Sequence, residues 1–125
     1  MNLHLERIAT VPMKFLDRLE TKKKLKLYTK IKGHFVKMGS QRYAVFQKTR
    51  VCAHCGLVGT TLAVERDVLL DSSACHINMY GYKDGREILF TKDHIHPKSK
   101  GGKNHLSNYQ TMCVECNNEK GNKVP

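Results

Sequence analysis

The chain has 125 residues, with 22 Lys and Arg against 11 Asp and Glu and a formal charge of +11. That length fits one domain with at most an appendage, and a core of that size gains from a structural metal. The charge points to a polyanionic partner, nucleic acid before membrane, and no run is long or apolar enough to span a bilayer. Met1-Asn2-Leu3-His4-Leu5-Glu6 carries no apolar signal core, so a cytoplasmic protein is expected.

Taken in order, residues 1–38 read as a basic helical arm. Pro12 suits the first turn of a helix starting near Val11, with Phe15, Leu16 and Leu19 on one side. After a break at Thr21, Leu27, Ile31 and Phe35 recur every four residues, with Tyr28 adjacent, which predicts a second helix that Gly33 weakens. Nine Lys or Arg lie between Lys14 and Lys37. This is a solvated basic face when free and a grip on a DNA backbone when bound. Gly39-Ser40 marks a boundary, and Ser40 caps a short helix from Gln41 to Lys48 that Tyr43, Val45 and Phe46 pack down. Thr60 to Glu65 reads as a strand, and 66–75 as irregular. His76 to Tyr82 and Glu87 to Thr91 read as strands joined through Lys83-Asp84-Gly85, since Asp-Gly favours a hairpin turn. Residues 97–107 form a polar loop, Tyr109 to Met112 a short return strand, and Cys113 to Lys120 a helix that Gly121 stops.

Two Cys-x-x-Cys pairs, Cys52/Cys55 and Cys113/Cys116, have the spacing of a closed tetrahedral zinc site. An odd cysteine count and this pairing argue against disulfides. Cys75-His76 offers alternate ligands, but Cys75 has no x-x partner and is expected as a reduced, packed thiol. Between the pairs lies Asp93-His94. Hydrolysis of a phosphodiester needs a water, a base and a cation that stabilises charge on phosphate and leaving oxygen. An imidazole exchanges protons near neutral pH, which makes His94 the candidate base. Successive strand residues point to opposite faces, so Asp93 can bind metal while His94 faces the water.

The residues Asp93-His94, Pro97, Ser99-Lys100-Gly101-Gly102, Asn108, Cys113-x-x-Cys116-Asn117 and Lys120-Gly121 resemble the HNH endonuclease family, the ββα-metal nucleases. Arg42 to Phe46 leading into Cys52-x-x-Cys55-Gly56 extends the resemblance to roughly residues 40–122. It implies an α+β fold, a small zinc-stapled ββα-metal module over 39–125 with the basic helical extension 1–38. It implies His94 as general base, Asp93 as metal ligand and Asn108 as the residue that fixes the loop, near a carbonyl that orients the imidazole. Asn117 stands where the family often has its last histidine. An amide oxygen there suits Mg²⁺ or Mn²⁺, and Asn118 is the alternative ligand. Lys98, Lys100, Lys103 and Lys120 are the expected DNA contacts, and the amides of Gly101-Gly102 are placed to approach DNA. His96 is read as a supporting loop residue.

The leading expectation is a metal-dependent DNA endonuclease leaving 3′-hydroxyl and 5′-phosphate ends. One module gives one active centre, so a double-strand break takes a dimer or two events. The alternatives are a zinc-stabilised DNA-binding module without turnover, or a protein-binding component that docks through the N-terminal arm.

Overall fold

The computed structural model describes residues 4–19, 28–69 and 74–121. In chain order its strands are β1 (Leu5–Val11), β2 (Tyr28–Ile31), β3 (His34–Lys37), β4 (Thr61–Asp67), β5 (His76–Lys83), β6 (Arg86–His94) and β7 (Tyr109–Cys113). The helices are α1 (Gln41–Lys48) and α2 (Val114–Lys120). Five strands form an antiparallel sheet in the order β1-β4-β5-β6-β7, and β2-β3 form a separate hairpin. No helix among these residues is long and apolar enough to cross a membrane.

The C-terminal half follows its local signals. Ser40 Oγ accepts from the Arg42 N–H (3.2 Å) and starts α1, whose Tyr43, Val45 and Phe46 are buried. Asp84 and Gly85 both take positive φ, 53° and 74°, and close the β5–β6 turn. Ile88 and Phe90 turn inward from β6. That strand is longer than expected and carries Asp93 and His94 as its last two residues. Gly121 ends α2.

Among the described residues of 1–38, the expected helical extension is not found. Leu5–Val11 is an edge strand paired with β4, and only Met13–Arg18 coils, as a 3₁₀ turn that Pro12 precedes. Arg7 fastens β1 to the sheet. Its Nε donates to Glu65 (3.0 Å) and its two Nη groups to Glu87. Buried Glu65 also accepts from Asn78 (2.8 Å) and the Tyr80 hydroxyl, so its charge is fully partnered. The second expected helix is a hairpin where it is described; Thr21 and Leu27 lie outside the described residues. Lys32 and Gly33 take φ of 48° and 81°, a pair that reverses a strand and cannot continue a helix. Ile31 and Phe35, which a helix would align, instead lie on opposite sides: Ile31 packs on the core and Phe35 is 54 % exposed.

The core lies between one face of the sheet and α1. Leu62, Val64, Ile77, Met79 and Phe90 meet Tyr43, Phe46, Leu16, Leu19 and Val36. Polar side chains tie the layers together. Gln47 Nε2 donates to the carbonyls of Leu16 (2.9 Å) and Leu19 (2.8 Å). The Tyr43 hydroxyl joins the Lys37 carbonyl to the Ile77 N–H. Thr111 Oγ1 donates to the Thr49 carbonyl (2.7 Å), which docks the end of α1 on β7 beside the first cysteine pair.

Candidate active site

The sulfurs of Cys52, Cys55, Cys113 and Cys116 all lie within 4.8 Å of one another. The first pair sits on a tight turn, where Cys52 N–H donates to Leu57 O (2.8 Å) and Gly56 N–H to Cys52 O (3.1 Å). Ala53 N–H bonds to Thr111 O (2.9 Å) and lays that turn on β7. The second pair comes from the end of β7 and the first turn of α2. Zn–S bonds of about 2.3 Å separate tetrahedral sulfurs by about 3.8 Å, which this cluster accommodates. Burial opposes ionisation of Cys52, but the backbone N–H groups of Cys55, Cys113 and His54 outweigh it and hold its pKa at about 6. Burial pushes the Cys113 and Cys116 thiols up. Soft donors in this frame fit a zinc-like cation, which would ionise the remaining thiols. Cys75 is buried away from the cluster, and His54 is exposed.

The same β7–α2 junction builds a second site. β6 and β7 pair antiparallel, with Asp93 opposite Gln110 and His94 opposite Tyr109. α2 folds back on β6, where Asn117 Nδ2 donates to Thr91 Oγ1 (2.9 Å). Thr91 and Asp93 therefore face α2, and His94 falls on the other side, against the edge of the Tyr109 ring (centroids 5.0 Å apart). At the strand end both open onto one cleft of about 230 Å³, lined by Asp93, His94, Lys98, Asn117 and Lys120 among others. Asp93 is buried. Its Oδ2 accepts from Gln110 Nε2 (2.9 Å) and from the Lys120 ammonium (3.0 Å), which also reaches the His94 carbonyl. His94 is half-buried, and its Nε2 contacts Asn104 Oδ1 at 2.8 Å. An amide oxygen only accepts, so Nε2 carries the proton and Nδ1 is the nitrogen left to take one.

Strand, loop, strand and helix thus bring an acidic, a basic and an amide group to one opening. Residues 80–125 match the HNH endonuclease family model. The match suggests a nuclease, with nucleic acid as its partner, and it covers the whole cleft. Curated proteins and solved structures yield no match to the chain.

Within the HNH segment, Asn108 is the loop's clasp. Its Oδ1 accepts from His96 N–H (2.9 Å), and its Nδ2 donates to the carbonyls of Lys103 (2.9 Å) and His96 (3.1 Å). Its own carbonyl accepts from Ile95 N–H (2.8 Å), and the group on the imidazole is the side chain of Asn104. His96 is spent on the loop, with Nε2 at the Lys100 carbonyl (2.8 Å). The Gly101 and Gly102 amides donate to Lys98 O and Pro97 O, so they serve the loop's own turn. A side chain at Gly102 would collide with the His96 carbonyl, which explains that glycine. Lys98, Lys100 and Lys103 are exposed around the opening; Lys98 lines the cleft, and Lys103 lines a neighbouring hollow with His96. Asn118 lines a different hollow, with Arg86, Glu87 and Glu115. Gln110 and Thr91 escape sequence reading because their roles come from strand register, and Asn104 because its role comes from the path of the loop.

Proposed function

We infer that the protein is a metal-dependent DNA endonuclease that hydrolyses phosphodiester bonds. The observation that carries this is the convergence of Asp93, His94, Asn117, Lys98 and Lys120 on one cleft inside the segment that matches the HNH family. In this reading the Asp93 carboxylate and the Asn117 amide oxygen hold Mg²⁺ or Mn²⁺, hard cations that prefer oxygen. The donor set fits, since Nδ2 of Asn117 is committed to Thr91 and its oxygen is left for a ligand. The bound ion supplies charge stabilisation at the scissile phosphate and leaving oxygen. His94 Nδ1 takes the proton from the attacking water, and Asn104 fixes the ring and its tautomer. Lys98, Lys100 and Lys103 hold backbone phosphates, and the four sulfurs hold zinc as a structural ion.

Lys120 has a double role here. Its ammonium pairs with the Asp93 carboxylate. Were Asp93 to hold a divalent ion, the Lys120 ammonium would be repelled and a substrate phosphate would be its next partner. Lys120→Met is expected to tighten Mn²⁺ binding to DNA-free protein on the order of tenfold, as read by calorimetry or Mn²⁺ spin resonance. Weaker binding in that variant would count against the carboxylate being the ion's site.

The direct test is nicking of supercoiled plasmid with added Mg²⁺ or Mn²⁺. Wild type is expected to cut and Asp93→Ala to bind DNA without cutting. Salt-sensitive binding with no turnover by wild type would favour the non-catalytic DNA-binding module instead.

A further inference from the structure

The β2–β3 hairpin stands outside the five-stranded sheet, and its two faces differ. Val36 is fully buried and Ile31 packs on the core. The register pairs Tyr28 with Lys37 and Lys30 with Phe35, so alternation puts these four residues together on the outer face. Tyr28 is 48 % and Phe35 54 % exposed. Lys30 Nζ lies 5.5 Å from the Phe35 ring centroid, and Lys32 is exposed at the tip. Two open aromatic rings set among lysines complement a strand that has both phosphates and unpaired bases.

A short run of contacts links the hairpin to the cleft. Lys37 N–H donates to Cys75 O (2.9 Å), and Cys75 N–H to Phe35 O (2.8 Å), just ahead of β5. β5 pairs with β6 only over Tyr80–Lys83 and Arg86–Leu89, so the link from the hairpin to the cleft runs through α1. From Lys37 the chain passes directly into α1, whose Gln41 accepts from the Tyr109 hydroxyl (3.5 Å), and the Tyr109 ring meets His94.

We propose that this face binds unpaired nucleotides of a DNA strand that continues into the cleft, with bases stacked on Phe35 and Tyr28 and phosphates on Lys30, Lys32 and Lys37. This rests on the nuclease reading for the strand's destination. It names the substrate class as DNA with a single-stranded stretch beside the cut, such as a flap, gap or bubble. Stacking tolerates any base, so no cognate sequence is needed at this face.

Fluorescence anisotropy without added Mg²⁺ or Mn²⁺ reads binding apart from cleavage. The probes are a labelled oligothymidylate and a blunt duplex of equal length. Phe35→Ala is expected to weaken oligothymidylate binding about tenfold, and the double variant with Tyr28→Ala further, while duplex binding falls less than about twofold. Phe35→Tyr keeps a ring and keeps the affinity. The chain has no tryptophan, so Phe35→Trp adds a sole indole reporter, expected to be quenched by oligothymidylate and not by duplex. That variant reads stacking without removing a ring. Equal losses on both probes, no loss, or indole fluorescence of the Phe35→Trp variant that oligothymidylate leaves unquenched would overturn the proposal. Wild type that discriminates through these rings but never cuts would sink the nuclease reading and leave the platform standing. Wild type that cuts while the alanine variants bind normally would do the reverse.

Discussion

His94→Ala is expected to lower metal-dependent cleavage by about 10²–10⁴-fold, the usual contribution of a positioned general base. The loss should fall on turnover, because His94 is half-buried at a strand end and makes no bond on which the core depends. DNA affinity and melting temperature should therefore stay near wild type. The ring is held on two sides, by Asn104 at Nε2 and by the edge of Tyr109. Asn104→Ala frees the tautomer and orientation while leaving the imidazole in place, so a smaller loss in turnover is expected, with little change in apparent substrate affinity. Single-turnover kinetics on a labelled oligonucleotide separates the two. A His94→Ala protein that cuts at the wild-type rate would remove His94 from the chemistry and leave the cleft without a base.

The second large effect is on folding. Removing the ion from the four sulfurs, or replacing Cys113 by Ser, should destabilise the HNH segment severely. Structural zinc contributes about 10–16 kcal/mol in small peptides, comparable with the whole stability of a domain. Cys113 and Cys116 also stand at the joint between β7 and α2, the joint that places Asn117 and Lys120 opposite Asp93. Even about 4 kcal/mol of lost stability lowers the melting temperature by roughly 15 °C for a chain this size. The sign with pH follows from proton competition. Thiolates are needed to hold the ion, so its stabilisation is present at neutral pH and lost on acidification. Native mass spectrometry should find one zinc per chain in wild type and in Cys75→Ala, and none in Cys113→Ser. A Cys113→Ser protein that melts like wild type would show that the sulfurs hold nothing of consequence.

The readable parts of this protein are those where neighbours in sequence settle the outcome. Ser40 caps α1 through the next residues' amides. Asp84-Gly85 closes its hairpin with its own backbone angles. The spacing of each cysteine pair is set by the turn that carries it. The misread part is the N-terminal third. Leu27, Ile31 and Phe35 have helical spacing, but Lys32-Gly33 between them supplies the two positive φ values that make a strand reversal. Leu5–Val11 finds its partner in Thr61–Asp67, more than fifty residues on, and nothing local announces that pairing. Arg7, which no sequence signal singles out, ties β1 to the rest of the sheet.

By itself the sequence determined the chemistry: two thiol pairs, a carboxylate beside an imidazole, and an amide one helix away. Those are residue types and spacings, and spacing within a turn or a strand fixes geometry over a few residues. The tertiary structure alone decided the partners. It gave Asn104 to the imidazole, Lys120 and Gln110 to Asp93, Thr91 to Asn117, and it turned a basic segment into a hairpin with aromatic rings outward. Register and packing between distant segments are cooperative, so they emerge when the whole core closes and not from any one stretch of chain.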